Sequence, residues 1–523
     1  MRGARTRPRG ATPGGSAGAA AGGRRRPGAV GGGRALAAAL AAALAAGACA
    51  RGGARPEASS GSAAAEPELS TTPVTAPGYH DETSVALDPV RDGGVVAVWQ
   101  VPATAGRSSD RGATWSSAPL PGTDRWELAG DPSVIFSDHG TAHALFIAFD
   151  RPDDYRFLGR AAHRNGIFTS RSSDGGGSWT EPVPVVEHAE SPGIPFEDKP
   201  MMTADRRDAS PHHGSLYVAW TQFRARASGI RFSRSADGGR SWSEAIEISD
   251  RPGSPQDTVG AAEGTDLAVG PDGTLYVVWN DSTGILLDRS EDGGRTFGTD
   301  VHVRRTSDIV FPVPGVARAN GYPSLEVDPR SGRLFVTWVD RSAGEADVWL
   351  TTSDDGGDTW TEPVLASGDP AGSGIEHFFA WSSVDPVTGT YVAGYYRTER
   401  AAAGGGEAAS GDAEAADPGG AVGAPPAGPE LRYTISWSAD GGRTFSQRPW
   451  GGPFRPGGEF LGDYTGVDAR GGVAYGAWTD VPADTARAAG ESPGVHGSRH
   501  HTRVVVGRAV FRPRSAGSGS GGR

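Results

Sequence analysis

Ser108–Trp115 reads SSDRGATW, and the same eight-residue pattern, Ser-x-Asp-x-Gly-x-Thr/Ser-Trp/Phe, returns five more times along the 523-residue chain. The other copies are SSDGGGSW (Ser172–Trp179), SADGGRSW (Ser235–Trp242), SEDGGRTF (Ser290–Phe297), SDDGGDTW (Ser353–Trp360) and SADGGRTF (Ser438–Phe445). Asp110, Asp174, Asp237, Asp292, Asp355 and Asp440 stand at their centres. Each residue of the pattern has a physical task. An aspartate can accept hydrogen bonds from the backbone N–H groups of a tight turn. Glycine permits the positive φ at which the chain reverses. The Ser/Thr hydroxyl can close the turn, and the terminal aromatic can wedge against a neighbouring sheet. The string therefore reads as a self-stapled hairpin between two strands, and its repetition marks an array of like units.

A second element recurs between the copies: a strand ending near Asp, a turn with Gly, then a strand ending in an aromatic. VALDPVRDGGVVAVW (Val85–Trp99), LAVGPDGTLYVVW (Leu267–Trp279) and LEVDPRSGRLFVTW (Leu325–Trp338) show it, and further copies end at Phe149, Trp220, Tyr396 and Trp478. Alternating apolar and polar residues in short runs are a strand pattern.

The strings resemble the Asp boxes, or BNR repeats, of the sialidase-like β-propellers, and the resemblance covers about Tyr79 to Pro513. It implies an all-β fold of four-stranded blades, with the box joining strands three and four. Seven strand pairs stand against six boxes. The seventh, GVDARGGVAYGAW (Gly466–Trp478), is followed by RVVVGRAVF (Arg503–Phe511), which supplies a third strand and no fourth. The segment before Val85 can supply that outer strand and close the ring, so seven blades are expected. Six, the number usual in sialidases, is the alternative. Roughly 435 residues minus two inserts leave about 55 per blade, enough for compact four-stranded units. The inserts are Ala401–Glu430, of Gly/Ala/Pro-rich low complexity, and Pro482–Arg499.

The ends read differently from the middle. Arg24, Arg25, Arg26 and Arg34 precede an Ala/Leu run, Ala35–Ala46, too short to span a bilayer. The string LAAGAC then leads to Cys49, the single cysteine. Residues 1–48 are thus expected to be a signal peptide. Cys49 resembles the lipidated first residue of a bacterial lipoprotein, an ordinary cleaved signal being the alternative. The chain is expected to be exported, lipid-anchored at the cell surface or extracellular. Residues 49–78 and 514–523, poor in apolar side chains, read as a flexible tether and tail. With 62 Asp+Glu against 50 Lys+Arg, a nucleic-acid surface is not expected. A monomer that meets a glycan or a cell-surface ligand is.

Strand direction sorts residues onto faces. Strands one and three end at the boxes; the starts of strand one and the turns from strand two to strand three lie opposite. The resemblance implies that this opposite face carries the active site and that the boxes are structural. Asp81, Asp131, Asp198 and Glu263 each fall seven residues before the turn position of their strand-one copy, with Asp463 close to it in the last. Such a ring of carboxylates at the central channel can bind Ca²⁺, serve acid–base chemistry, or cap strands and pair with neighbouring cations. No cofactor is required by this reading. The turns after strand two carry Asp150–Arg151, Arg224, Asn280–Asp281, Asp340–Arg341, Tyr396–Arg397 and Asp480. Guanidinium forks match carboxylates there, either on an acidic sugar or in inter-blade ion pairs.

Active sialidases hold the substrate carboxylate with three arginines and use a tyrosine nucleophile, a glutamate and an aspartate acid/base. The resemblance thus makes Arg224, Arg341 and Arg397, with Asp340 and Asp463, candidate binding residues. Tyr322, Tyr396 and Tyr464 are candidate nucleophiles, and Asp81, Asp131, Asp198 and Glu263 candidate acids. The family's Arg-Ile-Pro string is missing, since residues 79–99 hold only Arg91, on the box face. Two readings stand: an exo-glycosidase on sialic acid or a related acidic glycan, and a non-catalytic propeller that binds a glycan or protein. The adjacent pairs His212–His213 and His500–His501 lie in loops, where neighbours rarely converge on one metal.

Overall fold

The computed structural model describes residues 66–150, 164–189, 195–256, 260–306, 309–399, 428–483 and 501–512. The expected signal segment, Cys49, the tail 514–523 and most of both inserts lie outside them. Seven four-stranded antiparallel sheets are present among the described residues. Their first strands are Asp81–Leu87, Leu128–Phe136, Phe196–Ala204, Glu263–Val269, Ser324–Val327, His377–Val384 and Gly466–Arg470. Each packs against the first strand of the next sheet, and the seventh returns to the first. The molecule is therefore a seven-bladed propeller with strand one of every blade lining the axis. Its only described helix is a single 3-10 turn at Thr123–Arg125.

The seventh blade takes Gly466–Arg470, Val473–Asp480 and Arg503–Val510 from the end of the chain, and Glu68–Pro73 from its beginning. Glu68 lies opposite Val510 and Pro73 opposite Val505. This outer strand lies inside the stretch 49–78 expected to be a tether. Ordering follows from pairing: a sequence too polar to fold alone finds a complete row of backbone partners on Arg503–Val510.

The inter-blade core is set by one register position of strand two. Trp99, Trp220, Trp279, Trp338 and Trp478 fill it and are at most 2% exposed. In blades two and six the ladder puts Ala142 opposite Ser172 and Tyr391 opposite Ser438, as Leu275 lies opposite Ser290. Phe146 and Tyr395 thus hold this position, rather than the expected Phe149 and Tyr396. Those two strands carry several aromatics, and alternation alone does not say which one faces the next sheet.

The recurrent turns form as their residues dictate. In the second, the Ser172 hydroxyl donates to Asp174 Oδ1 at 2.7 Å, and the Gly177 and Ser178 amides donate to the same oxygen at 2.9 Å. The Ser178 hydroxyl closes on Oδ2 at 2.8 Å. The second glycine must lack a Cβ for two reasons. At Gly294 φ is +77°, and a Cβ would stand 2.6 Å from the ring of Phe232 in the preceding blade. The turns are therefore inter-blade contacts as well as hairpins.

Candidate active site

The first strands do not enter the channel regularly. In blades one, two, three, four and six the register against strand two slips near the start, between Asp81 and Ser84, Gly130 and Ser133, Asp198 and Met201, Glu263 and Asp266, and Phe378 and Trp381. Each slip is a β-bulge, which re-aims side chains where a strand meets a site. The bulged residue is left-handed every time: Glu82 (φ 50°), Asp131 (46°), Lys199 (47°), Gly264 (71°) and Phe379 (51°). For a non-glycine residue this costs about 1–3 kcal/mol and persists where the surroundings over-determine it, typically at functional sites.

The bulges correct the expected ring of acids. The backbone amides of Asp88, Asp205 and Gly270 open their hairpins by donating to the carbonyls of Gly94, Ser215 and Thr274, whereas in blade two that residue is Ser137, whose amide donates to the Thr141 carbonyl. Asp131 thus counts six residues from its turn. It shares the place of Glu82 and Lys199, while Gly130 stands where Asp81, Asp198 and Glu263 do. A bulge also lets two consecutive residues reach the same region, so Glu82 and Lys199 join the acids that precede them.

Three further segments complete the mouth. The hairpin Val310–Phe311/Ala319–Asn320 carries Arg318 inward just before the shortened first strand of blade five. The run Gly458–Thr465 delivers Asp463 and Tyr464, passing so close to blade one that a Cβ on Gly462 would lie 2.6 Å from the Glu82 nitrogen. Gln100, at the end of strand two of blade one, donates to Asp81 Oδ1 at 2.5 Å and accepts from the Asp131 amide at 3.0 Å. Together Glu82, Gln100, Asp131, Asp198, Lys199, Arg318 and Asp463 line a cavity of about 50 Å³.

Charge in this mouth is buried and cross-linked. Lys199 is 4% exposed; its Nζ donates to Asp198 Oδ2 at 2.9 Å and lies 3.5 Å from Asp463 Oδ2. Arg318 grips both oxygens of Asp463, donating from Nε to Oδ1 at 2.5 Å and making a closer contact from its terminal nitrogen to Oδ2. The Lys199 amide donates to Asp131 Oδ2 at 3.1 Å. Burial, then the neighbouring Asp131 with its charge and hydrogen bond, drives Glu82 well above the ordinary carboxylate range. Burial also pushes Asp131 upward, but the hydrogen bond from Glu82 and the charge of Lys199 outweigh it and hold Asp131 low. The two shifts run in opposite directions, Glu82 favouring its protonated form and Asp131 its ionised form. Burial raises Asp81 as well, and the Asp131 charge adds to it against the Gln100 hydrogen bond.

The other candidates fall in different places. Tyr464 borders the mouth; its hydroxyl donates to the Pro132 carbonyl at 3.3 Å, and burial, then Glu82, Asp131 and Asp81, oppose its ionisation. Tyr396 is buried, donating to the Thr479 carbonyl at 2.7 Å and accepting from the Thr479 amide at 2.9 Å, a stitch from blade six to blade seven. Tyr322 packs its ring over Gly264. Glu263 is fully buried at the start of blade four, opposite Asn280, and does not line the cavity. Arg224 pairs with Glu247 at 2.6 and 2.9 Å, Arg341 with Glu376 at 2.8 and 3.0 Å, and Arg397 with Asp369 at 2.7 and 2.9 Å. None of the three lines the mouth. Asp340 accepts from the Trp338 indole at 2.8 Å and from the Ser342 amide at 3.0 Å. Asp110, Asp174, Asp237, Asp292, Asp355 and Asp440 sit in their turns.

Fold and site together define a seven-bladed propeller with a buried, bulge-built cluster of carboxyl and cationic groups at one end of its axis. No family profile and no curated protein matches the chain. Among solved structures it is similar to the Hadza microbial sialidase Hz136, at 18% identity over 61% of this chain and 63% of that one, with a TM-score of 0.40. It is similar to a protein of unknown function from Dyadobacter fermentans, at 15% identity over 64% of this chain and 95% of that one, with a TM-score of 0.42. The alpha-L-arabinofuranosidase Arb93A from Fusarium graminearum is another, at 10% identity over 72% and 92%, with a TM-score of 0.44. The chain spans less than two thirds of the length of the sialidase.

Proposed function

We propose that the chain is a carbohydrate-active propeller that works at this mouth on an acidic glycan, with Glu82 as proton donor and Asp131 as its ionised partner. The observation that carries the reading is the placement of two buried carboxyl groups, Glu82 and Asp131, on left-handed bulges of adjacent blades in the lining of one cavity. A carboxyl group that keeps its proton can donate it to the departing oxygen of a glycosidic bond, and a carboxylate beside it can stabilise the positive charge that develops on the sugar. Arg318 is placed to meet an acidic substituent, exchanging part of its hold on Asp463 for the ligand's carboxylate. Tyr464 keeps its proton, which it donates to the Pro132 carbonyl behind the mouth. A tyrosine nucleophile of the sialidase kind would first have to pass that proton to one of the neighbouring acids.

The test is hydrolysis of a fluorogenic sialoside and a panel of uronic-acid glycosides. E82Q and D131N should each lower kcat at least about a hundredfold, the usual share of acid–base catalysis, with the unfolding midpoint little changed; R318A should act mainly on KM. Turnover that survives E82Q and D131N would place the reaction elsewhere. A second reading, glycan binding without turnover, is favoured by the cavity's size of about 50 Å³ and by the ion pairs that already occupy Lys199 and Arg318. Binding on a glycan array that is lost in R318A, with no hydrolysis, would select it.

A further inference from the structure

His213 does not act with its sequence neighbour. The His212 ring covers Gly293 in the recurrent turn of blade four, 2.7 Å from where a Cβ would stand there. His213 reaches instead to the first hairpin of blade two, where Asp138 and His139 lie. Its Nε2 is 2.7 Å from Asp138 Oδ2, and His139 Nδ1 is 3.6 Å from the same oxygen. One ligand atom from each of the three residues falls within 4.8 Å of the others. The two imidazole rings meet edge to face at 5.9 Å.

We propose that Asp138, His139 and His213 form a binding site for a transition-metal dication such as Zn²⁺, clamping blades two and three together on the face of the aspartate-centred turns. Tetrahedral Zn²⁺ with bonds of about 2.0–2.2 Å sets its ligand atoms roughly 3.4 Å apart, so the approach of His139 is near the required edge and that of His213 has to open slightly. Two imidazoles and one carboxylate suit Zn²⁺ better than Ca²⁺ or Mg²⁺. Asp208 Oδ1, 3.7 Å from His213 Nε2, is near enough to take a fourth position, or a water fills it.

Both supporting turns are held by their own hydrogen bonds. Ser137 donates to the Thr141 carbonyl at 2.8 Å, and the Gly140 carbonyl accepts from Arg91 at 2.9 Å. Across the gap, Asp205 organises the other loop, accepting from the Arg207 amide at 3.0 Å and from the Ser210 hydroxyl at 2.5 Å. The His213 amide is tied to the Ser210 carbonyl at 3.3 Å. Only side-chain adjustment separates this arrangement from a closed site.

Isothermal titration of the full chain, prepared without a polyhistidine tag, with ZnCl₂ should give one equivalent per chain. H139A and H213A should each weaken it at least tenfold, while H212A leaves it unchanged. Thermal unfolding should rise with Zn²⁺ in the wild type and in H212A, and not in H139A or H213A. No binding, or a stoichiometry and affinity the same in H139A and H213A as in the wild type, would overturn the proposal. Retained wild-type secondary structure in the variants, read by circular dichroism, keeps either result interpretable.

Discussion

Lys199 shares the mouth's positive charge with Arg318. It is buried between Asp198 and Asp463, on a backbone conformation that lysine seldom adopts. Removing one partner of a buried ion pair leaves uncompensated charge and costs about 3–5 kcal/mol, far more than the intact pair contributes. Lys199→Met should therefore destabilise the protein by about 3 kcal/mol or more at neutral pH in urea unfolding. The deficit should shrink in acid, where carboxylates that have lost the ammonium take up protons more readily. A deficit under about 1 kcal/mol would mean that the two acids do not depend on this ammonium. The residue was also hard to find from sequence. Period-two reasoning assigns neighbours to opposite faces, and the bulge after Asp198 suspends that rule. The same applies to Glu82 beside Asp81. Arg318 had no repeat to mark it, because it enters on a hairpin particular to blade five.

At the scale of the element, the aspartate-centred turns make a prediction about acid. Hydrogen bonds from Thr114 and Ser108 lower Asp110 to about 2, and those from Thr359 and Ser353 lower Asp355 to about 2. In Asp237 the bonds from Ser241 and Ser235 overcome burial and reach about 2 as well. A carboxylate whose folded value lies below its unfolded value of about 3.9 adds stability above that pH and loses it as pH falls through the folded value. The turns around Asp110, Asp237 and Asp355 should thus weaken between about pH 4 and pH 2. Replacing two of the aspartates by asparagine should flatten the fall of the urea midpoint across this window. An unchanged slope would mean that the turns do not govern acid unfolding. These turns were the most legible feature of the sequence, since donors, acceptor and glycines all lie within eight residues and need no tertiary information. The strand-two aromatics were legible as a class, but at Phe146 and Tyr395 only the ladder fixes which ring packs inward.

For the whole molecule, seven blades followed from counting strand pairs, and the closure from the missing fourth strand of the last. That strand, Glu68–Pro73, has no buried core of its own and is held by ladder bonds to Arg503–Val510. Deleting residues 66–74 should lower the thermal midpoint by several degrees, because the edge of Arg503–Val510 is left unpaired, and should raise aggregation in light scattering. A midpoint within about 1 °C of the full chain would show that six complete blades and a three-stranded seventh suffice.

This clasp also sets an order of events. Thr71 meets Gly507, so the two sides of the last blade are separated by 436 positions along the chain. Nothing upstream can lock the circle until the final sheet has arrived, and contacts of such separation form slowly. A newly made chain should consequently remain an open arc until the seventh blade has emerged, when its inner strands reach blade one and Arg503–Val510 pairs with Glu68–Pro73.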